Sequence, residues 1–443
     1  MKKTALLFAV LIIITISASA RELNLTIYND NLALIKDFRQ EYVSVGEKVQ
    51  LAFTNVSALI DPSSVHLKSQ ADIIEQNFQY DLINQNRLLQ KYIGERIRIK
   101  QDNNVIEGIL LSTQGGLIIE QDNKKLILSP EGEVELPALP EGLILKPTLS
   151  WLLNNKTTGL QQIELSYLSR GLSWEADYVL QLSADETSAA LNGWVTIHNN
   201  SGSGYPDASV QLIAGTPHQV AQTPPARLVL HMEKAGAGTA LSEEAFFEYH
   251  LYELQHKTTL NNAETKQISL MKVSNINLNK KYVLENSQTF ALGQIHKQNP
   301  DVKLVFNNSS KNGLGTPLPK GKIRIYKADS KDRLQFAGED IIEHTPKDEL
   351  ITITAGNVFD ITTERVLKED VRVNDRQYEK TIEVTIANHK DTDIVIDIKD
   401  TFYRAIKVLN SSHKYKLADA KTAVFTISVP KNSKTTLRYA VLI

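Results

Sequence analysis

Cysteine is absent from all 443 residues. That excludes disulfide staples, a thiol nucleophile, thiolate ligation of metal and a lipid-modified N-terminal cysteine. Charge of one sign is also missing. Lys and Arg number 49 against 51 Asp and Glu, for a net charge of −2, which argues against a basic face for nucleic acid. Beyond the first 20 residues no run approaches the roughly 18 consecutive apolar residues of a membrane-spanning helix. A chain this long needs no staples, because its burial alone can carry the fold.

The N-terminus has a distinct grammar. Lys2 and Lys3 precede an apolar run from Ala5 to Ile16, and Ala18-Ser19-Ala20 follows with small residues. This is the pattern of a secretory signal peptide over residues 1–20, cleaved after Ala20. It predicts an exported mature chain in the periplasm, at the cell surface or in the medium.

The strongest pattern in the mature chain lies over residues 171–215. Leu172, Trp174, Ala176, Tyr178, Leu180 and Leu182 are apolar at every second position, with polar residues between most of them. That is the period of a strand with one dry face. Asp185-Glu186-Thr187 turns the chain, Val195 and Ile197 begin a second alternation, and Val210 and Leu212 a third. Such strands, joined by Gly/Asn/Ser loops, predict antiparallel β-sandwich architecture. The last residues repeat it in four triplets: Ile382, Val384, Ile386; Ile394, Ile396, Ile398; Phe425, Ile427, Val429; Leu437, Tyr439, Val441.

Punctuation divides the chain. An N-terminal β domain is expected over 21–93, with a helix near Leu82–Tyr92. Five short apolar runs over 94–140 suggest a small SH3- or Sm-like barrel. Pro137, Pro140 and Pro147 mark a linker. A central sandwich domain spans 141–375, with a long loop at 219–241, and an immunoglobulin-like sandwich spans 376–443. Ser242–Leu254 reads as strand through Phe247, Tyr249 and Leu251. Three strands end in Asn followed by a polar loop, at Asn199, Asn307 and Asn388. The predicted class is therefore all-β, with tandem immunoglobulin-like sandwiches and the small barrel near the N-terminus.

The segments SYLSRGLSWEADYVLQL, GWVTIHNNSG, FEYHLYEL, ETKQISL, GLGTPLPKGKIRIYKAD, HTPKDE and ANHK, in this order, resemble an exported bacterial family. It is catalogued as domain of unknown function 4139 and is related to mucoidy inhibitor A-like proteins. The resemblance covers nearly the whole mature chain and is densest from Leu149 to Ile443. The mucoidy inhibitor A-like relatives carry a coiled-coil insert after the first β segment, and here the barrel-like stretch stands in its place. The resemblance implies no activity and brings no catalytic residues with it.

Candidate chemistry is sparse. His344 with Asp340 and Asp348, flanked by Glu339 and Glu349, is the tempting acid–base or metal-binding group. His389-Lys390-Asp391 and Ser412-His413 are further candidates. None has a recognised metal spacing, and exposed loop residues account for all of them. Ser173 in Gly-Leu-Ser-Trp lacks the second glycine of a nucleophile elbow. Trp174 belongs to an apolar series and to the core. Trp194 is out of phase with Val195 and Ile197, and is the candidate ligand-binding aromatic. These readings predict a non-enzymatic envelope protein that binds polysaccharide or protein through loops and sheet edges, with no cofactor, no metal and no nucleic acid. Two alternatives accompany it: a metal-assisted hydrolase of envelope polymer, using His344 with Asp340 or Asp348, and a factor that influences exopolysaccharide.

Overall fold

Burial follows the alternation residue by residue. In the strand Leu172–Leu182, Leu172, Trp174, Ala176, Tyr178 and Leu180 are buried, while Glu175 and Gln181 are exposed. The computed structural model describes residues 21–81, 84–101, 104–138, 140, 143–215, 217, 241–246, 249–287 and 291–443. The expected signal peptide and the expected loop at 219–241, apart from Leu241, lie outside the described residues. Among these residues the protein is mainly β, with one α-helix, Gln85–Lys91. The stretch read as one strand over Ser242–Leu254 is two strands, Leu241–Phe246 and Tyr249–Leu254, paired antiparallel, and Phe247 lies outside the described residues. The chain divides into two compact units. One takes residues up to Ser173 with His198–Gln211 and His256–Thr265, and the other takes Trp174–Ile197, Leu212–Gln255 and Lys266–Ile443.

In the first unit, Glu22–Tyr28, Ala33–Val43, Gly159–Ser169 and His66–Lys68 pair side by side, each antiparallel to the next. A second sheet sets Thr148–Asn155 between Gly46–Thr54 and Asp72–Gln79. Trp151 is buried here, edge-on to Phe53 at 5.5 Å, and its indole N–H donates to Gln76 Oε1 at 2.8 Å.

The expected small barrel is corrected to an open sheet. Its five strands fall in the expected places and pair in the order Glu133–Glu135, Arg96–Gln101, Asn104–Ser112, Ile118–Glu120, Leu126–Leu128, with no closing pair among the described residues. Closure needs long, tilted strands with a consistent stagger, and three of these have only three residues each. The helix covers the dry face instead. Asn84 caps it by accepting from Arg87 N at 2.9 Å. Its Leu89, with Tyr92 just beyond, packs among Ile97, Ile99, Leu110 and Ile119.

The second unit contains the four apolar triplets read from the sequence, and every one of their residues is buried in one core. Fully burying a side chain such as Phe425 contributes about 1.5–3 kcal/mol. Two sheets enclose this core. One sets Ile361–Arg372, Tyr378–Asn388 and Ser433–Leu442 side by side, and the other includes Asn279–Asn286, Ile394–Thr401 and Thr422–Val429. Leu172–Leu182 runs parallel to Gly321–Ala328, and Asn279–Asn286 runs parallel to Ile394–Thr401. Glycine is required at the start of the first of these, because a Cβ on Gly321 would fall 2.1 Å from the Ala176 carbonyl oxygen. Within the core, Arg365 donates to Asp400 Oδ2 through Nε and Nη2 at 3.2 Å each, and the Tyr439 hydroxyl donates to the same oxygen.

Candidate functional site

Strand Ala33–Val43 buries Ala33 and Ile35 and then, at the same phase, Asp37, whose exposure is 0%. A carboxylate there is tolerable only with strong partners. Arg21 grips it with Nε on Oδ1 at 3.0 Å and Nη2 on Oδ2 at 2.8 Å. Arg39 adds Nη2 on Oδ2 at 2.7 Å and lies 4.3 Å over the Phe53 ring. Burial works to raise the Asp37 pKa, but the hydrogen bonds and charges of Arg39 and Arg21 outweigh it and hold the group below 3.8. Two cations around one anion leave a net positive charge, with Arg21 on the side that lines a cleft.

The opposite wall comes from the loop after strand Ser188–Asn199. The buried Asn199 closes this loop: Nδ2 donates to Ser203 O at 2.8 Å and to Asn261 O at 2.9 Å, while Oδ1 accepts from Ser201 Oγ at 2.7 Å. Gly202 sits at φ +83 and donates to Asn262 Oδ1 at 3.0 Å, a conformation that favours glycine. Beneath lies a dry hydroxyl network. Ser57 Oγ and Ser169 Oγ are 2.6 Å apart, and Ser201 Oγ lies 3.0 Å from the Tyr205 hydroxyl. Burial pushes the Tyr205 pKa up to about 12 and that of Tyr167 well above its ordinary value. Both remain protonated at neutral pH. Ser57 Oγ is hydrogen-bonded to hydroxyl and backbone groups.

The resulting cleft has a volume of about 310 Å³. Arg21, Asn55, Lys146, Thr259, Asn261 and Asn262 are among the polar residues of its lining, which includes no carboxylate. Lys146 is exposed. Amide, hydroxyl and cationic groups arranged this way can hydrogen-bond a hydroxyl-rich ligand and neutralise an acid on it.

The residues singled out from the sequence are placed elsewhere. Asp340 is engaged by backbone: Oδ1 accepts from Ile341 N at 2.8 Å and Oδ2 from Thr354 N at 2.6 Å. Asp348 occupies φ +64 in a turn, its N–H on Asn308 O at 2.8 Å. His344 Nδ1 accepts from Lys320 N at 3.1 Å. Its pKa is lowered, first by desolvation of the ring and further by Lys320 and His250, against the pull of Glu343. His413 Nδ1 lies 2.9 Å from Ser412 Oγ, and His389 donates its backbone N–H to Asp360 O. Among the described residues no three His, Asp or Glu side chains form a group able to hold a metal ion. Ser173 lies within a strand rather than at a strand-to-helix turn. Trp194 is 39% exposed, with Val195 and Ile197 buried on the other side of its strand.

Sequence reasoning missed Arg21, Asp37 and the cleft. One signal was available: Asp37 continues the inward phase of Ala33 and Ile35, and a charge at a dry position implies a partner.

Residues 163–443 match the family model described as Domain of unknown function (DUF4139). The chain belongs to this family. No curated protein matches it. The DUF4139 span supplies Tyr205 and Asn261 to the cleft, whereas Arg21, Asn55 and Lys146 precede it. The cleft is therefore built jointly by the family domain and the segment before it.

Proposed function

We propose that this protein is exported to the cell envelope and acts there by binding rather than by catalysis, with an acidic polysaccharide as the partner of the cleft. The observation that carries this reading is the cleft's lining, in which Arg21 and Lys146 stand among side-chain amides and hydroxyls with no carboxylate. Signal-peptide features in residues 1–20 support export. No membrane-crossing helix is present among the described residues. The hydrolase alternative has little support, because Asp340 and His344 are occupied by backbone groups.

Affinity electrophoresis of the mature protein tests the reading, with polygalacturonate in one gel and dextran in another. Retardation by polygalacturonate alone, reduced about ten-fold or more in apparent affinity by Lys146→Glu, is the expected result. No retardation of the wild type by polygalacturonate, relative to a gel without polysaccharide, defeats it, as does equal relative retardation of wild type and variant. N-terminal sequencing of the protein recovered from its native host checks export, with Arg21 expected first.

A further inference from the structure

We infer that a second cleft, beside Phe359 in the second unit, is a binding site for neutral saccharide that stacks a β-linked hexopyranose on the Phe359 ring. This does not depend on the first cleft, with which it shares no residue.

Phe359 is 89% exposed, the most exposed of the large apolar side chains among the described residues. A lone apolar residue at a surface means little by itself. Here several hydrogen bonds hold the backbone that presents the ring. Val358 donates its N–H to Pro300 O at 2.9 Å, and its own side chain is only 7% exposed, in the sandwich core. Asn299 Nδ2 donates to Val358 O at 2.8 Å and to Phe359 O at 3.4 Å. Asp360 O accepts from His389 N at 2.8 Å. The ring therefore stands out from a fixed support, which lowers the entropy lost when a ligand docks.

The rest of the cleft, about 550 Å³ in volume, decides the ligand. Gln298, Asn299 and Asn357 line it with amides, and its one cation, Lys297, is paired with Glu364 at 3.0 Å. Asn299 Nδ2 is spent on the Val358 and Phe359 carbonyls and Asn357 Nδ2 donates to Asp301 Oδ1 at 2.7 Å, so what the lining offers beside the flat apolar face is chiefly amide oxygens that accept. A pyranose whose hydroxyls are equatorial presents the complement: axial C–H groups for the ring and a rim of hydroxyls for the amides. A protein partner is less well matched, because Val358, the remaining apolar residue of the lining, is buried, and protein hot spots cluster apolar anchors.

The test titrates the mature full-length protein with cellohexaose and with chitohexaose by isothermal calorimetry. One of the two is expected to bind, about ten-fold or more weakly in Phe359→Ala and with affinity kept in Phe359→Trp. Lys146→Glu, in the other cleft, should leave this binding unchanged. Because the ring is exposed, Phe359→Ala should melt with the wild type, which separates lost binding from lost folding. Absence of binding to both oligosaccharides overturns the proposal, as does a Phe359→Ala affinity equal to wild type. Self-association that depends on Phe359, without sugar binding, would overturn it in favour of a protein contact.

Discussion

Asn199 and Asn388 make the same set of hydrogen bonds at the ends of two different strands. Each donates Nδ2 to the carbonyl four residues on, Ser203 O at 2.8 Å and Thr392 O at 3.0 Å. Each also reaches carbonyls of a neighbouring loop, Asn261 O for one and Pro430 O for the other. Each accepts at Oδ1 from the N–H two residues on, Ser201 N at 3.2 Å and Lys390 N at 3.0 Å. One buried amide thus satisfies several backbone groups that a strand leaves unpaired where it ends.

These amides are worth more than their size suggests. Asn388→Asp keeps the shape but removes both N–H donors, leaving buried carbonyls facing a carboxylate. Destabilisation of about 2–4 kcal/mol is expected, read as a lower midpoint in urea unfolding. Asn388→Ala should fall in the same range.

Asp37 sets an acid limit on stability. Its pKa is lowered from 3.8 in the folded protein, so the unfolded chain takes up the proton first as pH falls. The stabilisation is complete above the unfolded value and fades as pH drops through the folded one. Urea midpoints should therefore decline below about pH 4. Asp37→Asn should cost about 3–5 kcal/mol at neutral pH and show a shallower acid decline than the wild type.

The ion pair in the sandwich core behaves differently when one side or both sides are removed. Arg365 and Asp400 are 7% and 0% exposed in their side chains. Arg365→Met alone should destabilise by about 3–5 kcal/mol, because the Asp400 carboxylate loses its cation. Combining it with Asp400→Leu should recover most of that loss. A double-mutant cycle in urea measures both quantities.

Two tryptophans separate packing from surface. Trp174 is 2% exposed, donates to Ile213 O at 3.1 Å and meets Tyr252 edge-on at 6.2 Å. Trp174→Ala should cost about 3–5 kcal/mol. Trp194→Ala should stay within about 1 kcal/mol. Thermal unfolding by circular dichroism distinguishes the two.

The alternating strands were legible because a single dry face forces period two on the residues. The buried triplets from Ile382 to Val441 and the phase of Trp174 against Trp194 followed from that rule alone. Closure of the small sheet was not legible, since it depends on strand length and stagger rather than pattern. Nor were the parallel pairs, because nothing local in Tyr282 or Ile396 specifies the partner across the ladder. The strand-end asparagines were partly readable. At the third position, however, the buried amide is Asn308, which donates to Thr316 O at 2.8 Å, and not Asn307. The cleft escaped notice because Arg21, Lys146 and Asn261 are far apart in sequence and individually ordinary.

The parallel ladder between Asn279–Asn286 and Ile394–Thr401 has a consequence for how the protein is made. Until the later segment has emerged from the ribosome, the earlier one keeps an open flank, ready to recruit any neighbouring chain. A polypeptide truncated before Ile394 should therefore clump rather than rest half-built, and productive folding has to await the arrival of that later strand.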